Sequence, residues 1–513
     1  MTGEIVAIDV RPAEQGIAGP RAGVQDLVRP RIYGRLAEDG CAKDVAYLVL
    51  HPAATVLHHR DGVAPPPETR TVSQKSAHAN GLYAGRIQHT LHGSGGIHPG
   101  NPGLDLPASA GQREGYGYMA SQGNGGRMPP HDLPDSHLVA SAAVADEAVF
   151  AEEKEKILDR VWRLACHESE LPQTFDFRAF DRISPPLFII RGGDGKIRCF
   201  VNVCSHRGAK LINQPRGNAE HMVCFFHHWS YDSRGRCLNI PRSQAYEAHG
   251  PRMADCGLRE IRCETYRGLV FFNLDDGAEP LDDWLGNAFE SLDAALACDL
   301  EVFHYSRGVL KGNWKDWQSS NMDPYHEFMH ARLRRTNVMT EAGMAGRSFQ
   351  TYPNGHARFG GMTADYSKHD STTGREIADC LPGVDPNAFQ SVPLFPNGLV
   401  ATRGTVMRID ITTPIGPLET LVEWRGLCVK GLSDEQMMAR VDHHNEFWGP
   451  YSANMPEDAY AMESLGRGFA GGGARYQIIA REEDMRGQDE GIMRGFYAQW
   501  SKMMGRPASS DAG

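Results

Sequence analysis

Apolar residues recur at two different spacings from about residue 137 onward, and the two spacings separate helices from strands. Residues 146–168, DEAVFAEEKEKILDRVWRLACHE, show helical spacing after an acidic start. Residues 186–204 hold two apolar runs joined by Gly-Asp-Gly, which predicts a β-hairpin. GLVFFNLD, residues 268–275, predicts another buried strand. We therefore expect a helix over 137–164 and a small β domain over 165–275.

The second half of the chain mixes both periodicities. Helices are predicted for residues 283–296 and from Asp323 onward, and an amphipathic helix for residues 489–505. Residues 398–429 alternate like an antiparallel hairpin around a Pro-Ile-Gly-Pro turn. Grouped strands with flanking helices predict an α+β fold, with a larger domain over residues 276–505.

The N-terminal quarter has a different composition. Between residues 91 and 135, 17 of 45 residues are Gly or Pro, which exceeds the roughly 25–30% typical of low-complexity chain. One apolar run, VAYLVLH at residues 45–51, could form a strand. We expect residues 1–136 to be an irregular, low-complexity extension, and residues 506–513 to be a flexible tail.

Charge and composition exclude several classes of function. A net charge of -11 over 513 residues provides no general attraction for nucleic acid or an anionic membrane surface. The sequence contains no apolar run of about 18 residues and no signal-peptide pattern at its start, so we expect a cytoplasmic protein. The eleven cysteines do not form a disulfide-like pattern. Only Cys204 and Cys224 stand at ligand spacing to a histidine.

Those two cysteines belong to the stretch CSHRGAKLINQPRGNAEHMVCFFHHWSYD, residues 204–232. Cys204 with His206, and Cys224 with His227, can each be supplied by one short loop. Two thiolates and two imidazoles suit a tetrahedral zinc ion or a Rieske [2Fe–2S] cluster, in which one iron takes both cysteines and the other both histidines. One cysteine and one histidine per loop favours the two-iron cluster, and the zinc alternative would be a metal-stabilised binding protein.

A second candidate metal site follows in DPYHEFMH, residues 323–330. On an α-helix, Asp323, His326 and His330 would point within about 60° of one another. Asp323 before a proline is also an ordinary helix N-cap. Two histidines on one face, with a carboxylate from elsewhere in the chain, are the ligand set of non-haem Fe(II) oxygenases.

Both motifs resemble those of the ring-hydroxylating Rieske oxygenases. CSHRGAKL and CFFHHWSYDSRGRCL match the Rieske signature, including Arg207, Gly208, Trp229, Tyr231, Asp232 and Gly235. The resemblance implies that Cys204, His206, Cys224 and His227 bind the cluster, whereas His221, His228 and Cys237 are structural neighbours. It implies a mononuclear Fe(II) bound by His326, His330 and Asp458, with Glu457 and Glu463 as alternative carboxylates.

The same resemblance implies an architecture and an activity. The fold would be a helix-grip (START-like) catalytic domain with an antiparallel sheet and an inserted Rieske domain. The protein would be the large (α) subunit of a dioxygenase or monooxygenase that hydroxylates an aromatic acid with O2. Asp323 would bridge the two metal centres of neighbouring subunits in an α3 or, with a small β subunit, α3β3 oligomer. Because the glycine-rich residues 468–477 lack a dinucleotide-binding context, electrons would come from an external reductase, directly or through a ferredoxin.

Two departures from the family pattern leave an alternative open. Three residues separate His326 from His330 where relatives usually have four, and Ser319 occupies the position of a common asparagine. A Rieske electron-transfer or regulatory protein with a defective second iron site would also fit these changes.

Overall fold

The computed structural model describes Val6–Ala7 and residues 133–510, except 247, 336–339, 365–380, 386, 404, 451, 453 and 484–487. All described residues belong to one structural unit, Met1–Pro20 with Arg127–Gly513; the other unit, Arg21–Gly126, lies outside them. Most of the predicted extension, including the strand at residues 45–51, and the last three residues of the predicted tail also lie outside. In the first described segment, β1 (Val6–Ala7) pairs with Ser306 and Arg307.

The helix expected over residues 137–164 is shorter and interrupted. The segment forms β2 (Leu138–Ala140), α1 (Ser141–Ala145), α2 (Glu147–Glu153) and a π-helical turn at Lys154–Leu158. Asp146 caps α2, accepting hydrogen bonds from the N–H groups of Ala148 and Val149 at 2.7 and 3.1 Å. The prediction failed at the C-terminal end because residues from Arg163 onward enter a buried strand, which hydrogen bonds to a neighbouring strand.

The small β domain contains two antiparallel sheets. Its strands are β3 (Arg163–His167), β4 (Asp176–Phe180), β5 (Leu187–Arg191), β6 (Ile197–Val201), β7 (Arg216–Asn218), β8 (His221–Val223), β9 (Ser230–Asp232), β10 (Cys237–Asn239), β11 (Glu260–Tyr266) and β12 (Leu269–Asn273). The larger sheet has the order β3-β12-β11-β6-β5-β4-β7, and the smaller one β10-β9-β8. The hairpin predicted around Gly-Asp-Gly is β5–β6, and the predicted buried strand is β12. Both predictions are confirmed.

The larger domain is built on an eight-stranded antiparallel sheet of order β1-β13-β19-β18-β17-β16-β15-β14. Its elements after β12 are α3 (Leu281–Leu285), α4 (Asp293–Leu296), β13 (Leu300–Leu310), α5 (Trp314–Ser320), the 3-10 helix Pro324–Met329, α6 (Ala331–Arg335), α7 (Glu341–Met344), β14 (Ser348–Thr351), β15 (Ala357–Thr363), β16 (Ala388–Leu394), β17 (Gly398–Arg403), β18 (Val406–Gly416), β19 (Glu419–Val429), α8 (Asp434–Phe447), α9 (Met455–Ala470), β20 (Tyr476–Ile478) and α10 (Gly491–Met504). β20 pairs with β2 in a separate two-stranded sheet.

The predictions for this domain have different outcomes. The hairpin predicted over residues 398–429 is confirmed from β18 to β19, but residues 398–403 form a third strand, β17, which pairs with β18. The amphipathic α10, whose buried face includes Phe496 and Trp500, is confirmed. The single helix expected over residues 283–296 is wrong, because α3 ends at Gly286, whose φ of +51° leaves the helical region. The predicted α+β architecture with antiparallel sheets is confirmed.

A buried ionic network joins the two domains. Arg178 of β4 forms ion pairs with Glu170 and with Glu423 of β19. Arg425, also on β19, donates to Glu170 at 2.6 Å, and the Tyr305 hydroxyl donates to Glu423 at 2.5 Å. Because these charges are excluded from water, each depends on its partners, and the network holds the small domain against the large sheet.

Candidate active site and cluster-binding loops

The two Cys/His loops of the small β domain have the same local geometry. In the first, the Gly208 N–H donates to the Cys204 carbonyl at 3.0 Å; in the second, the His228 N–H donates to the Cys224 carbonyl at 2.9 Å. Gly208 and His228 both have positive φ, +73° and +57°. His228 is therefore the turn residue of its loop, in agreement with the structural role expected for it.

The side chains of the four predicted cluster ligands separate into an inner and an outer pair. Cys204 and Cys224 are buried, whereas His206 is half-buried and His227 is exposed. The imidazole centroids lie 4.5 Å apart, and the ring of Trp229 stacks on His206 at 4.7 Å. Two cysteines together and two histidines together suit a two-iron cluster in which one iron takes both cysteines and the other both histidines.

The chemistry of the inner pair fits a bound cluster. Burial raises the pKa of the Cys204 thiol, so two adjacent buried thiolates need a positive centre between them. The Tyr231 hydroxyl lies 3.1 Å from the Cys204 sulfur and accepts a hydrogen bond from the Ser205 N–H at 3.1 Å. When Cys204 is a thiolate, the Tyr231 hydroxyl is the donor of this contact, because a thiolate carries no proton.

The other residues of this stretch take different positions. His221 is exposed on β8, and Cys237 is buried on β10 in the hydrophobic core of the small domain. Phe225 and Phe226 are exposed at the loop tip, where Phe226 contacts the ring of His227 at 3.8 Å. The two exposed rings make the tip of this loop an apolar part of the protein surface.

The segment that carries the second pair of histidines is a 3-10 helix, not the expected α-helix. Asp323 caps it by accepting a hydrogen bond from the Tyr325 N–H at 2.8 Å, and Pro324 occupies its first turn. The helix ends at Met329, so His330 follows it with ψ of +65°. The tighter helix and its early end bring the Nε2 atoms of His326 and His330 to 3.2 Å, which explains how the short spacing still brings the two rings together.

The predicted carboxylate comes to these rings from α9. The Asp458 Oδ1 atom lies 3.5 Å from His326 Nε2 and 3.7 Å from His330 Nε2. Among the described residues, the three side chains are the one group whose ligand atoms lie within 4.8 Å of one another and could hold a single metal ion. The four Cys/His residues of the small domain do not converge in this way, although a single tetrahedral zinc would bring its ligand atoms within about 4 Å.

The two alternative carboxylates lie elsewhere. Glu457 accepts a hydrogen bond from His330 Nδ1 at 2.9 Å, on the side of the ring opposite Asp458. Glu463 contacts the Lys311 N–H at 3.4 Å and Arg467 at 3.8 Å. Of the three predicted candidates, only Asp458 faces both histidines.

The electrostatics of this second site suit a cation. Burial alone would lower the pKa of His326, but Asp323, whose Oδ2 lies 3.5 Å from Nδ1, and Asp458 outweigh it and raise that pKa. Each histidine therefore presents Nε2 to the centre and Nδ1 to a carboxylate, the usual support of metal-bound imidazoles. Two histidines and one carboxylate on one side leave positions open for O2.

Comparison with known families agrees with this geometry. Residues 161–259 match the Rieske [2Fe-2S] domain, and residues 281–506 match the ring hydroxylating alpha subunit (catalytic domain). The chain is 42% identical over 384 residues to the 2-aminobenzenesulfonate 2,3-dioxygenase subunit alpha of Alcaligenes sp, which covers 74% of this chain and 97% of that protein. The chain belongs to the α subunits of the Rieske ring-hydroxylating oxygenases.

Other relatives of this Rieske oxygenase extend the comparison. The methanesulfonate monooxygenase hydroxylase subunit alpha of Methylosulfonomonas methylovora is 35% identical over 395 residues, covering 74% of this chain and 94% of that protein. The crystal structure of naphthalene 1,2-dioxygenase from Rhodococcus sp. shares the fold, with a TM-score of 0.63 and 20% identity over 72% of this chain and 94% of that one. The protein is thus an oxidoreductase whose cofactors are a [2Fe–2S] cluster and a mononuclear iron, which excludes the zinc alternative.

A cavity of about 90 Å³ in the Rieske oxygenase borders His326, His330 and Asp458. Its apolar wall consists of Phe359, Met362, Phe389 and Trp448. Aromatic and aliphatic side chains beside the candidate iron site provide a surface for an organic substrate.

Three arginines also line this cavity, and the sequence analysis did not identify them. Arg347 forms an ion pair with Glu327 at 2.5 Å, and Arg408 lies 2.9 Å from Asp410. The third, Arg403, ends β17. For Arg403 and Arg408, the available signal was their position within strands that otherwise read as core, since buried guanidinium groups need a partner.

In the described part of the chain, no helix is long and apolar enough to cross a membrane.

Proposed function

We propose that this chain is the terminal oxygenase component that inserts oxygen from O2 into a small organic acid, with an aromatic sulfonate or carboxylate as the substrate class. One observation carries the proposal. The cavity beside His326, His330 and Asp458 combines an aromatic wall with three arginines. An aromatic ring fits the wall, and an anionic group fits the arginines.

The proposal assigns the metal-binding residues as follows. Cys204, His206, Cys224 and His227 hold the [2Fe–2S] cluster; His326, His330 and Asp458 hold the mononuclear Fe(II). When bound, the two centres supply single electrons and the activation of O2. The burial of the cysteines and the convergence of the histidines on Asp458 support this assignment.

The protein's own groups orient these ligands. Asp323 faces His326 Nδ1 and Glu457 faces His330 Nδ1, so each carboxylate fixes the imidazole tautomer that leaves Nε2 free to bind metal. In the proposal, Asp323 also links the iron site of one subunit to a cluster histidine of its neighbour. Because this proposed electron path joins two subunits, we expect an isolated monomer to be nearly inactive.

Rieske oxygenase α subunits work with a reductase and multimerise. For this chain we propose an external reductase, acting directly or through a ferredoxin, and an α3 or α3β3 oligomer. The names of its relatives, subunit alpha and large subunit, support a multisubunit enzyme.

The relatives also support an anionic substrate. The enzymes at 42% and 35% identity are named for 2-aminobenzenesulfonate and methanesulfonate, which share the sulfonate but not the organic part. A third, from Burkholderia cepacia, is named for anthranilate, a carboxylate, at 27% identity over 406 residues, 73% of this chain and 95% of that protein. The acid group is what these substrates have in common.

The test is a reconstitution with a reductase, in which 2-aminobenzenesulfonate, anthranilate and the uncharged aniline are offered with 18O2. We expect about three iron atoms per chain and labelled product from at least one acid. The number of labelled oxygens separates dihydroxylation from monohydroxylation. About two irons per chain, with a reducible cluster and no labelled product, would instead identify the electron-transfer alternative with a defective second site.

A further inference from the structure

Two of the cavity arginines meet at a single aromatic ring. Arg403 at the end of β17 and Arg408 on β18 are both buried, and each guanidinium lies 5.1 Å from the ring centroid of Trp448. Arg403 also lies 5.2 Å from the Phe389 ring and 5.5 Å from the Phe447 ring. Three rings around one guanidinium hold its plane and cover it from solvent while it borders the cavity.

Arg408 is oriented by polar contacts. Its Nη2 atom donates to the Asn321 side-chain oxygen at 2.8 Å, and its Nε atom lies 2.9 Å from an Asp410 oxygen. Asn321 is itself held by a hydrogen bond to the Trp317 carbonyl at 2.9 Å. A guanidinium carries five N–H donors, more than these two contacts use, so Arg408 is fixed in place with donors to spare.

The third arginine has a different environment. Arg347 and Glu327 form a close pair with side chains 8% and 11% exposed, and Glu327 also accepts from Gln488 at 3.1 Å. This pair links the residue before β14 to the 3-10 helix. The two guanidinium groups that contact the Trp448 ring are those of Arg403 and Arg408, and both border the cavity.

We propose that Arg403 and Arg408 are the anion anchor of this pocket and bind the sulfonate or carboxylate of the substrate over the Trp448 ring. This inference rests on the proposed function, because it names the residues that select the anionic substrate class. With the acid group held at this end, the organic part of the substrate is directed toward His326, His330 and Asp458. The anchor thus favours anionic substrates, and it also determines which part of the substrate lies next to the candidate iron site.

The experiment compares binding and turnover for R403Q, R403K and R408Q in the assembled, iron-loaded protein. The probes are benzenesulfonate, benzoate and the neutral benzenesulfonamide, with affinity measured by anaerobic calorimetry. We expect R403Q to weaken benzenesulfonate binding roughly 10- to 150-fold, the loss typical of a charge-assisted hydrogen bond, with little change for the sulfonamide. R403K keeps the charge without the planar fork and should lie between R403Q and wild type.

R467Q is the matched control, because Arg467 is exposed on α9 and the same chemical change there should leave all three affinities unchanged. If wild type binds both anions and R403Q and R408Q bind them equally well, the anchor is refuted while the substrate class stands. If wild type binds neither anion but binds the sulfonamide, the proposed substrate class itself is refuted, and the anchor with it. A uniform loss for charged and neutral probes in all three variants would also overturn the anchor, since it would indicate a structural role.

Discussion

His330 lies between two consecutive carboxylates of α9: its Nδ1 atom is 2.9 Å from Glu457 Oε2, and its Nε2 atom is 3.7 Å from Asp458 Oδ1. The neighbouring side chains Glu457 and Asp458 therefore contact opposite nitrogens of the same imidazole ring. The Glu457 contact places the proton on Nδ1, so the lone pair of Nε2 points to the same centre as Asp458. Such a carboxylate–histidine pair is typical of metal sites.

The first prediction concerns Glu457. Replacing it with Ala removes the group that fixes the tautomer of His330, and we expect a 10- to 100-fold loss of Fe(II) affinity at the mononuclear site. Glu457→Gln keeps a hydrogen-bond acceptor and should lose less. Iron content after dialysis against graded Fe(II), with the cluster spectrum as internal reference, measures the effect.

Glu463→Gln is the control for this experiment, because Glu463 lies on the same helix and contacts Lys311 and Arg467 instead of either histidine. Asp458→Ala should abolish mononuclear iron binding and leave the cluster intact. Equal iron loading of Glu457→Ala and wild type would show that Glu457 does not support His330.

The second prediction concerns Tyr231. Its hydroxyl lies 3.1 Å from the Cys204 sulfur, and a hydrogen bond donated to a cluster-bound sulfur stabilises the reduced, more negative state. Tyr231→Phe should therefore lower the reduction potential of the cluster without releasing iron. A redox titration followed by electron paramagnetic resonance gives the potential; an unchanged value would exclude this hydrogen bond in the holoprotein.

The third prediction concerns the junction between the domains. Glu423→Gln removes the shared partner of Arg178 and Arg425 inside the protein, which should lower the free energy of unfolding by about 3–5 kcal/mol. Asp299→Asn breaks an exposed pair with Lys430 and should change it by less than about 0.5 kcal/mol. Denaturant unfolding of the two variants beside wild type makes the comparison.

A pH dependence follows from the same glutamate. Burial would raise the pKa of Glu423, but Arg425 and Arg178 outweigh it, so its folded-state pKa lies below the usual 4.5. A carboxyl with a lowered pKa stabilises the fold above its unfolded-state pKa, and this contribution is lost as the pH falls through the folded-state pKa. Wild type should therefore lose more stability than Glu423→Gln between pH 6 and pH 3. Parallel stability curves for the two proteins would contradict this assignment.

The last prediction concerns the aromatic tip of the cluster loop. Phe225 and Phe226 are 66% and 50% exposed, and we expect them to contact a neighbouring subunit of the proposed oligomer. The double variant Phe225→Ser, Phe226→Ser should keep its cluster but transfer electrons more slowly in single-turnover experiments and form weaker oligomers. Met438→Ser on α8, where Met438 is 48% exposed, controls for loss of a surface hydrophobic residue. Wild-type transfer rates in the double variant would place the subunit contact elsewhere.

Local patterns predicted a good part of this molecule. The β5–β6 hairpin, β12, the β18–β19 hairpin and α10 follow from residue spacing and turn chemistry, which act over short distances along the chain. Residues 283–296 were mispredicted because apolar spacing continued across Gly286, where the backbone leaves the helix. The 3-10 helix Pro324–Met329 was also missed, since the spacing of apolar residues does not by itself distinguish a short 3-10 helix from an α-helix.

The sequence by itself determined which side chains could bind metal in the two motifs, because those ligands are close together along the chain. Only the tertiary structure places Asp458, and not Glu457, against both histidines; the Cα–Cβ directions of these adjacent residues on a helix differ by about 100°. It also decided that Arg403 and Arg408, on neighbouring strands, both contact the ring of Trp448, the residue that follows α8. Contacts between residues far apart in the chain depend on how sheets and helices pack, and no local pattern encodes that packing.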